Sequence, residues 1–554
     1  MLLGIDVGGT FTDAVIIDGG TIVSSAKRRT TKENLMNGIT DALGAVMSGA
    51  DPAQIEQVTL STTVVTNTIV EHKEQPVDLY VVAGPGRNVD DIFPVRPVYL
   101  KGYTDHRGIV VERTDVEGTG KLANMVQAKS GTDLAAVSAK FGVRNPKEEI
   151  DIAQALADTY HTISTGSALS GNLNFPRRTI SAYFNSAVAS VFKEFKNAVY
   201  HALDTFHITA PVYILKADGG SLPIDTVESI PVETVFTGPA ATVLGLEALR
   251  STKNAHTVAL DIGGTTTDIS LWKQGKPLMT KEGVSIREYP SAVRSFAVTS
   301  VGIGGESAVH YEDGTLMVGP ERIGPSVALG GTIPTLGDAL IVLGNAHYGG
   351  EQKAYDAIAQ IDTTIDAKTM AQRIVDTAVR IVQQGIDTVV AKENKRPIYV
   401  VADIVHPDTF VPAQLVIVGG TAASLGPIIG DQLGLPVHIP ADAAVANAIG
   451  AGVANHTMAI TVHVDTKRRT MVVPELGIQD KSSSLRSANA VEEVAYRLLC
   501  EAAQEQGLVA AGVIPDVETI SVEDFPVVDG WQSMERIITV KVQLKAGVSG
   551  YVES

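Results

Sequence analysis

The chain has 554 residues, 44% of them apolar and 19% charged, a balance that can bury several cores and excludes a disordered chain. Its net charge of −18 argues against a general binder of nucleic acid or anionic membrane, which would need basic surface. The single cysteine, Cys500, excludes an intrachain disulfide framework and a cysteine-cluster metal site, and it fits a cytoplasmic protein.

In chain order, Met1-Leu2-Leu3 is interrupted by Asp6 and is too short for the apolar core of a signal peptide. No run of about 18 uncharged apolar residues predicts a membrane span. MLLGIDVG and DAVIID predict a hairpin, TIVSSAKR a third strand, and the apolar spacing over 34–47 a helix. Val58–Leu60 leads into STTVVTNTIVEH. There Ser61, Thr62, Thr63, Thr66 and Asn67 either cap an amphipathic helix or face a cleft. Residues 76–170 read as an insertion, with a strand VDLYVVAG broken at Gly84-Pro85-Gly86. The insertion also carries a turn with Asp105, His106 and Arg107, a combination commoner on surfaces than in catalysis. Residues 177–206 predict one long helix whose aromatic stripe packs in a core. VYILKADGG is a strand ending in a polar turn, and strand ends of α/β sheets bind ligands, which marks Lys216 and Asp218. The helix over 236–248 is rich in Ala and Gly and suits close approach to another helix.

Residues 258–271, VALDIGGTTTDISL, form a strand, a Gly-Gly turn and a second strand. An ordinary tight hairpin would use the same residues. Two glycines also let the backbone approach a ligand, the threonines can donate to an anion, and Asp261 and Asp268 can hold a hard cation. The N-terminal stretch LGIDVGGTFTDAVI repeats the pattern. Asp6 matches Asp261, Gly8 Gly263, Gly9 Gly264, Thr10 Thr265, Thr12 Thr267 and Asp13 Asp268, each offset by 255 residues. A repeat of this kind predicts two similar domains, each opening with a phosphate hairpin. Beyond the second hairpin, Gly302–Ser307 reads as a loop or a ligand cradle, containing Gly304, Gly305 and Glu306. Thr335 and Asp338 stand at a helix start, and 368–393 is another long helix. LVIVGGTAAS places Gly419 and Gly420 in a strand-to-helix turn that suits adenosine against the backbone. A second small-residue helix is predicted over 441–454. Residues 459–554 read as a small α/β unit without a chemical motif, an accessory or oligomerisation domain, with Lys467-Arg468-Arg469 on its surface.

This ordered set resembles the actin, sugar kinase and Hsp70 superfamily, in which ATP lies between two related domains. The finer resemblance is to the hydantoinase/oxoprolinase family. It is carried by GIDVGGTFTDAV, STTVVTNTIVEHK, FTGPAATVLG, DIGGTTTDISL, SVGIGGESAV with VGPERIGP, PTLGDALIVLG and LVIVGGTA, spread over residues 1–455. Where the family has a proline- and cysteine-containing segment after VGPERIGP, this chain has SVALGGT, and its C-terminal end differs as well.

The resemblance implies an α/β fold with two ribonuclease H-like, actin-like ATPase domains around a nucleotide cleft. They are expected at 1–250, with the insertion at about 76–170, and at 251–458, followed by the small α/β domain at 459–554. It implies ATP with Mg²⁺ and an ATP-dependent opening of a cyclic amide such as a hydantoin or 5-oxoproline, acting alone or with a second hydantoinase-type subunit. A homo- or hetero-oligomer is expected, and neither nucleic acid nor membrane as a partner. Asp6 and Asp261, with Asp338 as a further candidate, would hold the metal, and Asp6 or Asp261 would act as base. Thr10, Thr12, Thr265 and Thr266, beside Gly8, Gly9, Gly263 and Gly264, would contact phosphates. Gly304, Gly305 and Glu306 would lie near them, and Gly419 and Gly420 by the adenosine. Other members of the wider group imply a ketone carboxylase subunit, an ATPase that remodels a partner protein, or a small-molecule kinase.

Overall fold

The computed structural model describes residues 1–30, 35–86, 90–251, 255–280, 283–396, 409–482, 484–510, 512–529 and 533–553. Asn34, at the predicted start of the first helix, lies outside them; the helix runs Leu35–Val46.

Two six-stranded sheets organise the chain. In the first, Leu2–Val7 pairs antiparallel with Phe11–Asp18 and parallel with Gln57–Thr62. Thr21–Arg29 extends it on one side, and Val212–Leu215 then Ser221–Pro223 on the other. In the second, Thr257–Ile262 pairs antiparallel with Thr267–Lys273 and parallel with Gln414–Val418. Val298–Val301 and Lys276–Pro277 pair with Thr267–Lys273, and Val437–His438 closes the far edge. Counted from the hairpin outward, the two sheets share one order and one set of directions over five strands; the first adds the antiparallel Ser221–Pro223 at its far edge, and in the second two strands pair with Thr267–Lys273. Their central strands are buried along nearly their whole length, as strands of a parallel sheet covered on both faces are.

Two helices, Thr237–Ala248 and Ala446–Gly452, pack between the sheets, the latter preceded by a 3₁₀ turn at Ala443–Val445 where a single helix was expected over 441–454. Their glycines are there for proximity. A Cβ on Gly450 would lie 2.0 Å from the Ala241 carbonyl oxygen, and one on Gly4 would lie 2.0 Å from that of Ala448. The helix Ala446–Gly452 therefore touches both its partner helix and the first strand of the chain at backbone distance.

The stretch predicted as one helix over 177–206 is two, Phe175–Ala187 and Ala189–Thr205, parted at Val188. The first is buried nearly all round while the second buries one stripe, Phe192, Phe195, Val199 and Leu203. The break lets the two segments follow different surroundings. The insertion forms a parallel four-stranded sheet of Val98–Tyr99, Asp78–Val82, Leu134–Ala139 and Thr162–Thr165, with its own core around Tyr80, Val137 and Ile152.

The C-terminal five-stranded sheet has the long hairpin Val517–Asp529 and Ser533–Leu544 at one side and Ala459–Asp465 at its centre. Ile460, Val462, Val464, Ile538, Val540 and Val542 form one face and share a core with Val491, Ala495 and Leu499 of the helix Ala488–Glu505. The alternate residues Thr461, His463, Asp465, Thr539 and Gln543 are polar, yet they too are buried. Two of them reach the N-terminal half: His463 Nε2 bonds the Gly171 carbonyl at 2.8 Å, and Arg107 clasps Asp465 through two bonds of 2.8 and 2.6 Å. Arg107, read as a surface turn residue, is thus a tie between the insertion and the C-terminal sheet. Among the described residues no helix is long and apolar enough to cross a membrane.

Candidate active site

The two Gly-Gly turns have the same construction. Gly8 N–H donates to the Phe11 carbonyl and Gly263 N–H to the Thr266 carbonyl, each at 3.0 Å. Each aspartate pair lies in register across its hairpin, Asp6 opposite Asp13 and Asp261 opposite Asp268. The turns face one another: a Cβ on Gly264 would stand 3.6 Å from the Thr10 methyl. Between them the backbone N–H groups of Gly9, Thr10, Gly264 and Thr265 donate to no described residue. Facing turns with unbonded N–H groups are suited to an anion.

Asp6 and Asp261 are joined through the crossing helices. Asp6 Oδ1 accepts from the Ser61 hydroxyl at 2.5 Å, and its Oδ2 lies 3.4 Å from Asn447 Nδ2. Asn447 Oδ1 is 2.8 Å from the Thr242 hydroxyl, which is 2.6 Å from Asp261 Oδ2. One residue from each helix therefore completes a chain of side chains from the first hairpin to the second.

Burial sets the charge of three of the four carboxyls. Asp6 is pushed up to about 7, chiefly by desolvation and then by the charge of Asp13. Asp13 is pushed up to about 6 by burial, against the pull of Lys27, whose ammonium sits 2.6 Å away. Asp268 reaches about 7 through burial and the neighbouring Asp261. Asp261 is the more open of the two leading aspartates, while Asp6 is 5% exposed.

Several predicted site residues lie elsewhere. Thr12 is fully buried, and its hydroxyl bonds that of Thr30 at 3.0 Å, which in turn donates to the Gly8 carbonyl. It braces the turn from behind instead of facing a phosphate. Gly304 and Gly305 are buried under the second turn, where Gly305 N–H donates to the Gly263 carbonyl at 3.0 Å. The stretch Gly302–Ser307 therefore cradles the hairpin, not a ligand. Glu306, by contrast, stays beside the second turn, its Oε2 3.3 Å from where a Cβ on Gly264 would stand, and it bridges Arg29 at 3.2 Å and Arg322 at 2.6 Å, tying the third strand of the first sheet to the second half. Asp338 is fully buried; its carboxylate accepts from the backbone of Val327, Ala328 and Thr335 and from the Thr335 hydroxyl, each at 2.9 Å. Those four donors occupy it as a loop anchor with a capping box, which removes it as a metal ligand. Gly419 stays at the site: with φ +95, its Cβ would lie 2.5 Å from Asp261 Oδ1. Gly420 beside it has nothing within 4 Å of such a Cβ and is exposed, leaving room for a flat ligand. Thr10, Thr265 and Thr266 remain on the accessible turns.

The STTVVTN cluster joins the site from the neighbouring strand. Asp6 and Ser61 are cross-strand partners, and the Thr237 hydroxyl bonds both the N–H of Thr62 (3.0 Å) and its carbonyl (2.6 Å). A Cβ on Gly9 would be 3.3 Å from Asn67 Nδ2. Ser61, Thr242 and Asn447 are the contacts that sequence reading did not assign to the site. Ser61 stood in a flagged cluster; Asn447 was the one amide in a small-residue helix.

A cation at this place would have Asp261, with most remaining ligands from water and phosphate, the mode Mg²⁺ prefers. No group of three or more His, Cys, Asp or Glu arranged to hold a metal occurs among the described residues.

Comparison with known proteins gives two family matches: the hydantoinase/oxoprolinase N-terminal region over residues 2–160 and hydantoinase/oxoprolinase over 178–460. Caprolactamase subunit alpha of Pseudomonas jessenii is 26% identical over 64% of this chain and 57% of its own length. The acetophenone carboxylase gamma subunit of Aromatoleum aromaticum is 25% identical, over 86% of this chain and 70% of its own. 5-Oxoprolinase 1 of Arabidopsis thaliana is 24% identical over 49% of this chain, which covers only 24% of that protein. Among solved structures, nucleotide-free acetone carboxylase aligns with TM-score 0.73 and 16% identity over 99% of this chain and 87% of that one. The ATP-dependent caprolactamase of Pseudomonas jessenii aligns with TM-score 0.70 and 20% identity over 98% and 87%. The mixed α/β fold is therefore one that these enzymes share.

Proposed function

The chain belongs to the hydantoinase/oxoprolinase family, and from that premise we propose that it is an ATP-dependent enzyme, or the ATP-binding subunit of one, that opens a cyclic amide through a phosphorylated intermediate. The observation that carries this reading is the pair of facing Gly-Gly turns with Asp6 and Asp261 linked through Asn447 and Thr242. Four unbonded N–H groups would receive the phosphates, and Gly420 would lie along the adenosine. Asp261, the more open carboxylate, would hold Mg²⁺, which supplies charge neutralisation at the phosphates when bound. Asp6, with its carboxyl near 7, is poised to take or give a proton at neutral pH.

A five-membered cyclic amide is a poor electrophile. Attack of its carbonyl oxygen on the γ-phosphorus, with ADP leaving, makes an imidate phosphate. Water then adds to that carbon, the ring C–N bond breaks as the ring nitrogen takes a proton and leaves an acyl phosphate, and a second water splits that into carboxylate and phosphate. This chemistry needs positioning and electrostatics more than a nucleophilic side chain. A second reading has support from the carboxylase subunits among the relatives: the same activated carbonyl could serve carboxylation with a partner subunit.

ATP turnover measured with and without hydantoin, 5-oxoproline and caprolactam tests the proposal. The expected result is stimulated ADP release with ring-opened product. Stimulation only by a protein would point to a remodelling ATPase, and a stable phosphorylated small molecule to a kinase; either sinks the proposal.

A further inference from the structure

The chain as a whole is acidic, with 62 Asp and Glu against 44 Lys and Arg, so a local surplus of positive charge asks for a reason. One such surplus stands beside the facing turns. Lys27 does not supply it, since its ammonium is taken by Asp13 and by the Ala444 carbonyl. The surplus comes from the two arginines gathered on Glu306.

Arg29 belongs to the first half. It lies opposite Phe11 in the sheet, and its guanidinium sits over the Phe11 ring, 5.7 Å from the centroid. The next residue, Thr30, donates its N–H to the Thr10 carbonyl at 2.9 Å. Arg29 is thus carried by the residues that build the first turn. Arg322 belongs to the second half, as does Glu306, whose own N–H donates to the Gly264 carbonyl at 2.6 Å. One carboxylate therefore gathers a guanidinium from each half, at the place where Gly264 faces Thr10.

Both charge and donors are left over. Two cations meet one anion. Glu306 takes only Nη2 of Arg29 and Nε of Arg322, and neither guanidinium donates further to a described residue. A guanidinium offers its N–H groups in a planar fork that matches phosphate oxygens in pairs. The anchor is the buried member: the Glu306 side chain is 11% exposed, against 48% for Arg29 and 21% for Arg322. A tie between the halves needs Arg29 alone. Arg322 shares a half with Glu306, so it adds charge and no tie.

We propose that Arg29 and Arg322 bind the phosphate chain of ATP, one from each half of the cleft, and that Glu306 is the positioning residue that holds both guanidiniums at the turns. The assignment rests on the nucleotide-binding part of the function proposed above. It gives the four unbonded N–H groups the formal positive charge that backbone dipoles lack. It also couples binding to closure, because the two cations converge only while Arg29 reaches Glu306.

The test is the affinity of the full chain for an unreactive ATP analogue with Mg²⁺, by calorimetry. Arg29→Gln and Arg322→Gln are each expected to weaken it by about tenfold or more. Glu306→Gln, which leaves both cations in place, is expected to weaken it by about threefold at most. Unchanged affinity in either arginine variant overturns the assignment while leaving the proposed function standing. A loss in Glu306→Gln as large as in the arginine variants also overturns it, since a bridge that only ties the halves gives equal losses. Wild-type chain that binds neither the analogue nor ADP overturns both the assignment and the proposed function. Should Arg322→Gln fail to fold, the half-exposed Arg29→Gln measured against Glu306→Gln decides by the same comparison.

Discussion

The two hairpins are one backbone set in two different surroundings. Both have the same turn bond, the same aspartate register and the same neighbours in sheet order. The side chains around them differ. Asp6 is buried beside Ser61, and its cross-strand partner Asp13 is held by Lys27. Asp261 is more open, bonded by Thr242, and its partner Asp268 lies opposite Ser300 with no lysine. A duplicated frame has thus kept its geometry while burial has divided the tasks. On the function proposed here, one carboxyl would serve proton exchange and the other would be available to a cation.

The strongest way to break that division is to remove each aspartate in turn. Asp261→Asn is expected to lower ATP turnover on the order of a hundredfold or more and to move the Mg²⁺ requirement to higher concentration. Asp6→Asn is expected to lower turnover with the Mg²⁺ requirement unchanged. Superimposable Mg²⁺ titrations for the two variants would show the hairpins to be interchangeable.

The spacing of the hairpins depends on the helix that touches both. Gly450→Ala puts a Cβ 2.0 Å from the Ala241 oxygen and is expected to destabilise by about 1–3 kcal/mol, seen in denaturant melts. A variant as stable as wild type would mean that the helix pair yields easily and does not fix the distance.

The raised carboxyls also fix a sign for pH. Asp6 and Asp268 hold protons in the folded state up to about 7, whereas the unfolded chain loses them near 4. Between those values the folded state binds more protons, so their contribution to stability is present below about pH 4 and lost as pH rises to about 7. Asp268→Asn should therefore raise the melting temperature at pH 8 and have little effect at pH 4. A larger effect at pH 4 would refute the assignment.

The smallest effect is expected behind the turns. Thr12→Val breaks one hydroxyl bond and should cost about 1 kcal/mol of stability, with ATP affinity within twofold of wild type. Thr10→Val on the open turn should weaken ATP more. The reverse order would return Thr12 to the phosphate site.

The hairpins, the repeat and the small-residue helices were legible because each is written in contiguous residues. Period two along a strand also contained the correction for Thr12: it neighbours Asp13, so the two point to opposite faces. Gly304 and Gly305 misled because a glycine-rich loop looks alike whether it approaches a ligand or another loop. Asp338 misled because a buried capping carboxylate and a metal ligand share one residue type. Thr242, Asn447 and Ser61 come from three separate segments, and only the packing of the sheets brings them together. The long helix over 177–206 split at Val188 because its two ends meet different surroundings, which no local periodicity records.

The link between the hairpins obeys a rule of arithmetic. The Thr242 hydroxyl has one proton and lies within reach of both Asp261 and Asn447, so it can donate to only one of them. In the structure the amide oxygen of Asn447 faces Thr242 and its amino group faces Asp6; were the Thr242 proton given to Asp261, the amide turned over would present its amino group to Thr242. Its carbonyl then points at Asp6, where only a protonated carboxyl can answer it. Turning the amide over reverses the polarity of the whole line. The link through Thr242 and Asn447 can therefore satisfy the two aspartates in one polarity at a time.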